Sequence, residues 1–235
     1  MAGGKRGNVL NFSNGFRFGK KLLKILGFFY IWRVTPLLKI RLDRNQKTII
    51  MDKMQFDQLR NELSVKAKNG LDFIISASII WLAISYIWTM SYTAYDKSIM
   101  TFIVGSLMLP LTLLLSKIIK TTWVIKDNPL DPLGLWLNFA QLFYFPFLIF
   151  VLLKMPEYFV MTYVIITGAH FFPYGWFYKT LAFSIMAGVI SFGALYLGLT
   201  LKPENTYLIA LFMSGCLIIL GVFLWIDYRK KFLKN

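Results

Sequence analysis

The sequence predicts an all-α protein, a polytopic transmembrane bundle of six helices with both termini in the cytoplasm. Apolar residues make up 57% of the 235 residues and charged residues only 16%, whereas about 25% of an ordinary soluble domain is charged. Several uncharged runs approach or exceed the roughly 20 residues that a helix needs to cross a bilayer. The distribution of lysine and arginine predicts the orientation of these helices.

Residues 1–50 differ from the rest of the chain because they contain eleven Lys/Arg and a single acidic residue, Asp43. Within them, residues 16–32 combine lysines on one side with apolar side chains over the remainder, which predicts an amphipathic helix lying in the membrane interface. A targeting peptide is one alternative. A second hypothesis is that this basic extension is not translated natively and that the chain starts at Met51 or Met54, which the intact mass of natively expressed protein would decide.

Residues 51–70 are predicted to form a juxtamembrane polar helix along the cytoplasmic surface. Its apolar residues share one face at spacings of three and four: Phe56, Leu59, Leu63 and Ala67. Asn69-Gly70 then predicts the turn that leads into the membrane.

Six spans follow within residues 71–228. They are predicted over residues 71–92, 98–119, 133–153, 158–178, 180–201 and 207–228. Because the intervening loops are short, consecutive spans are expected to be antiparallel neighbours. Residues 229–235 form a basic cytoplasmic tail.

The flanks of the spans carry lysine and arginine unequally. One side holds twelve beyond residue 50: Lys53, Arg60, Lys66, Lys68, Lys117, Lys120, Lys126, Lys179, Arg229, Lys230, Lys231 and Lys234. The other side holds three: Lys97, Lys154 and Lys202. Because cytoplasmic flanks are enriched in these residues, both termini are predicted to lie on the cytoplasmic side of a bacterial cell membrane.

Small residues recur along spans five and six and predict a tight helix pair, since they let backbones approach closely. They are Ser184, Ala187, Gly188, Ser191, Ala194 and Gly198 in span five, and Ala210, Ser214 and Gly221 in span six. Pro110, Pro146 and Pro173 predict kinks in spans two, three and four. These kinks fit either an internal cavity or bent helices packed around one another.

Polar residues within the spans are the candidate ligand- or proton-binding groups, because such groups are costly in hydrocarbon. They are Asp72, Asn138, Gln141, Thr167 and His170. One interpretation is that His170 and Thr167 meet Asn138 and Gln141 and bind a polar ligand or pass a proton. The alternative is an interhelical hydrogen-bond network that fixes the packing of spans three and four.

No catalytic residue, metal site or cofactor is predicted, since one histidine and one cysteine cannot build the usual zinc or bis-histidine haem sites. The formal charge of +15 comes without a nucleic-acid recognition motif, so we assign it to the membrane flanks and not to nucleic acid. The predicted partners are the lipid bilayer and either another membrane protein or a second copy of the chain.

Two runs in and before the fourth span carry a resemblance. Met155-Pro156-Glu157-Tyr158, followed by Gly168-Ala169-His170-Phe171-Phe172-Pro173-Tyr174-Gly175-Trp176-Phe177-Tyr178, resembles the signature of a family of uncharacterised bacterial multi-pass membrane proteins. The resemblance extends from about Phe56 to the sixth span and leaves out residues 1–50. It implies a six-helix membrane architecture and no particular activity.

Three functions are compatible with this sequence. The leading hypothesis is a transporter-like or small-ligand-binding membrane protein with its polar locus around His170. The alternatives are a structural or accessory subunit of a larger membrane complex and a membrane-embedded enzyme that uses His170 with a distant acid.

Overall fold

The computed structural model describes residues 53–233, with side chains from residue 55 onward. The predicted basic extension, its interfacial helix, Met51 and the last two residues of the predicted tail lie outside the described residues.

The described chain is all-α, as predicted, and contains no strand between residues 53 and 233. Its helices are α1 (Lys53–Lys66), α2 (Leu71–Thr89), α3 (Ala94–Ser106), α4 (Met108–Ile119), α5 (Asp131–Leu142), α6 (Phe145–Lys154), α7 (Phe159–Ala169), α8 (Phe172–Phe177), α9 (Leu181–Thr200) and α10 (Tyr207–Phe232). Single 3₁₀ turns at Lys68–Gly70, Pro156–Tyr158 and Pro203–Asn205 precede α2, α7 and α10.

Five helical stretches are long and apolar enough to cross a membrane. They are Lys68–Thr89, Ala94–Ile119, Asp131–Lys154, Leu181–Thr200 and Pro203–Phe232. The region predicted as the fourth span is not among them, because it is divided into the 11 residues of α7 and the 6 residues of α8. The chain therefore contains several helices suited to membrane insertion.

The three prolines predicted to kink the spans all lie in the first turn of a helix that follows a break. α4 starts two residues before Pro110, and α6 and α8 start one residue before Pro146 and Pro173. Proline has no N–H to donate to the preceding turn, whereas the first turn of a helix needs no such donor. The segments predicted as spans two, three and four are thus each built from two consecutive helices.

α2 is the most enclosed of these stretches. Of its most apolar part, 67% is buried within the bundle, against 17% for α3–α4 and 11% for α5–α6. Its most extensive packing is against α10. Ser76 and Ser78 bond to backbone oxygens of their own helix, so their hydroxyls are satisfied inside the apolar core. The α2–α10 pair forms the centre of the bundle.

α9 and α10, which the sequence predicts as a tight pair, contact each other, and each also packs more extensively against a further helix. Ser214 on α10 donates to the backbone oxygen of Ser78 on α2 at 2.9 Å. On α9, Gly198 faces Met161 of α7, and the Ser184 hydroxyl donates to the backbone oxygen of Phe172. Ser214 and Gly198 therefore face helices other than the partner that the sequence predicts.

The other predicted packing residues lie in four kinds of surroundings. Ala187, Ala194 and Ala210 are buried in the core. Gly221 lies against Ile74, whereas Gly188 has open space beside it. The Ser191 hydroxyl is buried without a hydrogen-bond partner in the described chain.

A polar helix and a turn precede α2. α1 covers Lys53–Lys66, and Leu63 on its predicted apolar face is 1% exposed. Lys68, Asn69 and Gly70 have positive φ values of 48°, 56° and 70°. Asn and Gly are the residues that adopt this left-handed conformation most readily, so the Asn69-Gly70 dipeptide forms the turn between α1 and α2.

Candidate functional site

The region predicted as the fourth span is broken where the only histidine lies. α7 ends at Ala169 and α8 begins at Phe172, so His170 and Phe171 connect two helices. Pro173 has no N–H to continue the hydrogen-bond ladder of α7, which accounts for the break. His170 therefore lies at the end of a helix and not in the middle of one.

His170 makes one hydrogen bond, and it is local. Its Nδ1 lies 2.7 Å from the backbone oxygen of Thr167. Because a carbonyl oxygen only accepts, Nδ1 donates, and the neutral ring then presents a lone pair at Nε2. The half-buried ring contacts Phe171 and Tyr174, with centroids 4.6 Å and 5.6 Å away. Within residues 53–233, Nε2 has no hydrogen-bond partner.

The structure brings together two of the other predicted polar residues. Gln141 on α5 donates from Nε2 to the hydroxyl of Thr167 on α7, at 3.3 Å. Asn138 instead donates to the backbone oxygen of Gly134 on its own helix, at 3.1 Å. Because Thr167 bonds to both Gln141 and His170, these three residues are connected, whereas Asn138 makes no hydrogen bond to any of them in the described chain.

Asp72 forms a separate polar site at the start of α2, where it is 1% exposed. Its Oδ1 accepts from the backbone N–H of Phe73 at 3.0 Å, and Oδ2 accepts from the Thr121 hydroxyl and the Trp123 indole N–H, each at 2.7 Å. The first turn of a helix also favours a negative charge. These bonds attach the α4–α5 connection to α2, which is a structural role.

Residues that the sequence did not single out form a larger polar cluster around α1, which we call the α1 junction. Arg60 donates from Nε to the backbone oxygen of Trp176 at 2.7 Å, and its guanidinium lies 4.8 Å from the centre of the Trp176 ring. Asp57 pairs with Lys179 at 3.1 Å. These contacts attach α1 to the end of α8 and to the connection between α8 and α9.

The end of α10 joins the α1 junction through Asn69 and Lys231. Asn69 accepts a hydrogen bond from Ser64 and donates to the backbone oxygen of Leu224 and to the carboxylate of Asp227, each at 3.0 Å. Lys231 pairs with Asp227 at 2.6 Å and also donates to Ser64 at 2.9 Å. Asn69 is fully buried, so the turn residue also fixes the end of α10.

The third attachment of the α1 junction is to the α4–α5 connection. Asn128 donates from Nδ2 to the backbone oxygen of Leu59 and to the Glu62 carboxylate, each at 2.9 Å. The Lys66 ammonium, 2.6 Å from Glu62, lowers the pKa of that carboxyl, with a smaller contribution from Asn128, and the two outweigh its partial burial. Glu62 is therefore ionised at neutral pH and holds Asn128 in place.

Sequence reasoning missed the α1 junction because each member is ordinary in isolation: a polar residue on a short helix or beside a span. The Asn69-Gly70 pair was the one signal, and it indicated the turn without its partners. Among the described residues, no group of three His, Cys, Asp or Glu side chains could hold a metal ion.

The comparisons concern the part of the chain that forms the bundle. The sequence model of a protein family, a family of unknown function (DUF7010), matches residues 56–227. These residues include most of α1, all of α2–α9 and most of α10. No curated protein and no solved structure matches the chain. The matched region contains His170, Asp72 and most of the α1 junction. Since it covers most of the sequence, the chain belongs to this family of unknown function.

Proposed function

We propose that this chain crosses a bacterial cell membrane six times, with both termini in the cytoplasm. The α1 junction supports six passes, because it joins α1 to the α4–α5 connection, to the α8–α9 connection and to the end of α10. Alternate connections thus share one end of the bundle, as six antiparallel passes require. The same end carries the excess of lysine and arginine, which favours the cytoplasmic side.

Reporter fusions test this topology. Green fluorescent protein fused after residue 235 is expected to fluoresce, because it would fold in the cytoplasm. Alkaline phosphatase fused after Lys202, between α9 and α10, is expected to be active, because it would lie outside. A C-terminal phosphatase fusion that is active, with a dark fluorescent fusion at the same point, would overturn the orientation.

The function that the site supports best is binding of a small polar ligand at the break in span four, in a ligand-binding or transporter-like protein. The observation that carries this proposal is the Nε2 of His170, an acceptor with no partner in the described chain. A histidine that fixed the packing of spans three and four would bond to the neighbouring helix, whereas His170 bonds only to Thr167 of its own segment. Broken helices are also where membrane transporters commonly place substrate sites.

We expect His170→Ala to leave the unfolding temperature of the detergent-purified protein nearly unchanged, since it removes one local hydrogen bond. The measurement is a thermal-shift screen of the wild type and the variant against amino acids, small organic acids and nucleosides. A compound that raises the unfolding temperature of the wild type and not of His170→Ala is the expected result.

The matched control is Thr162→Val on α7, which removes a hydroxyl bond to the backbone oxygen of Tyr158 in the preceding 3₁₀ turn. This variant should keep the ligand-induced shift. Ligand binding would be contradicted, and a packing role supported, if the unfolding temperature fell by several degrees for His170→Ala alone and no compound stabilised the wild type.

A second candidate, an accessory subunit, is favoured by the exposure of α5–α6. Only 11% of this apolar stretch is buried within the bundle, and large aromatic side chains such as Trp136, Phe143 and Phe147 lie on its surface. A subunit that packs through this face would copurify with a membrane partner at fixed stoichiometry in mild detergent. Purification of the chain alone from the native membrane would exclude this role.

A further inference from the structure

The last turn of α4 and the connection to α5 carry more positive than negative charge. Lys117, Lys120 and Lys126 are exposed and take part in none of the ion pairs found within residues 53–233. The neighbouring exposed acid is Asp127, so residues 117–127 carry three positive charges and one negative charge, a net +2. We call residues 117–126 the basic loop.

Apolar side chains alternate with these lysines on the surface of the basic loop. Ile118 is 67% exposed, Val124 64% and Trp123 39%. Isolated exposed apolar residues are ordinary on a soluble protein, but tryptophan and aliphatic residues beside lysines, at the end of an apolar helix, are typical of the boundary between headgroups and acyl chains. The composition of the loop therefore fits a lipid headgroup region.

The basic loop is held in a fixed position, so its lysines are not carried on a free segment. Thr121 and Trp123 donate to the buried carboxylate of Asp72, each at 2.7 Å. The Trp123 ring also stacks on Phe73, with centroids 5.2 Å apart. Since Asp72 accepts the indole N–H, the exposed part of the Trp123 ring is apolar.

Two backbone contacts complete this attachment. The amide of Thr122 donates to the backbone oxygen of Lys66 at 3.0 Å, and the ammonium of Lys68 donates to the backbone oxygen of Ile119 at 2.7 Å. Ile125 is 3% exposed and packs into the core. A preorganised loop loses less conformational entropy on binding than a flexible one.

We propose that the basic loop is a binding surface for anionic phospholipid headgroups. Lys117, Lys120 and Lys126 supply ammonium donors and positive charge to the lipid phosphates, while Ile118, Trp123 and Val124 contact the upper part of the acyl chains. Each lysine near an anionic membrane surface strengthens binding by roughly fivefold. The attraction is screened by salt, because the lysines are exposed to solvent.

The experiment uses the full chain in dodecyl maltoside and measures the unfolding temperature during titration with dioleoylphosphatidylglycerol. We expect the anionic lipid to stabilise the wild type at lower concentration than dioleoylphosphatidylcholine does. Lys117→Gln/Lys120→Gln should raise the half-maximal concentration of phosphatidylglycerol by roughly 25-fold, and adding Lys126→Gln should raise it further. None of these lysines makes a side-chain hydrogen bond in the described chain, so the variants are expected to fold.

The matched control is Lys154→Gln/Lys202→Gln, which removes two exposed charges from other connections and should leave the titration unchanged. If both double variants raise the half-maximal concentration of phosphatidylglycerol equally, the assignment to the basic loop is overturned. Stabilisation of the wild type by inorganic phosphate, at the concentration at which phosphatidylglycerol acts, would overturn the assignment to lipid. If phosphatidylglycerol and phosphatidylcholine stabilise the wild type at the same concentration, the proposal as a whole is overturned.

Discussion

Asp72→Ala is expected to lower the free energy of unfolding by about 2–4 kcal/mol, because it leaves three donors around a buried site without their acceptor. The carboxylate accepts from Phe73, Thr121 and Trp123 while being 1% exposed. Hydrogen bonds to a charged group each contribute about 1.5–3 kcal/mol. Part of this loss is recovered, since Trp123 is 39% exposed and its indole N–H can turn towards water once the carboxylate is removed. The measurement is unfolding in mixed micelles of sodium dodecyl sulfate and dodecyl maltoside.

Two further variants separate the causes of this loss. Asp72→Asn keeps one acceptor oxygen without the charge, so its stability should lie between those of the wild type and Asp72→Ala. Asp127→Asn removes an exposed carboxylate that lies close in sequence to Trp123, and it should change little because exposed charges contribute little to stability. If Asp72→Ala unfolds like Asp127→Asn, the carboxylate does not attach the α4–α5 connection to α2.

The helical elements could be predicted from the sequence because the properties that determine them are local. The uncharged run of span five was predicted at residues 180–201 and forms the helix Leu181–Thr200. The Asn69-Gly70 turn was predicted from two residues and has the positive φ values that these residues favour. In each case, hydropathy or backbone preference within a few residues determines the outcome.

The partners of polar side chains could not be predicted in the same way, because they depend on the rotation of each helix about its axis. Asn138 and Gln141 share a face of α5, yet Gln141 reaches Thr167 across the helix interface while Asn138 bonds within its own helix. Lys231 was counted only as a basic flank, and it lies at the centre of the α1 junction. Small changes in helix rotation or position would redistribute all of these bonds.

Gly168→Ala is expected to lower the free energy of unfolding by about 1–2 kcal/mol, because α7 packs closely on α9 at this point. A Cβ atom at Gly168 would lie 2.4 Å from Cγ2 and 2.9 Å from Cβ of Ile190. Ile190 is fully buried, and its Cβ is attached directly to the backbone, so the helix itself must move. Overpacking of this kind costs about 1–3 kcal/mol, which the better helix propensity of alanine offsets by up to about 1 kcal/mol.

The matched control for this prediction is Gly215→Ala on α10, where a Cβ atom would meet nothing within 4 Å. There the helix propensity of alanine acts without a clash, so Gly215→Ala should raise the unfolding temperature slightly. The two substitutions are chemically identical and are expected to act in opposite directions, as measured by thermal unfolding in the same detergent. Because Gly168 lies two residues before His170, stabilisation by both substitutions would mean that α7 is less closely packed on α9 beside the break, and that His170 has more freedom to move than its local hydrogen bond implies.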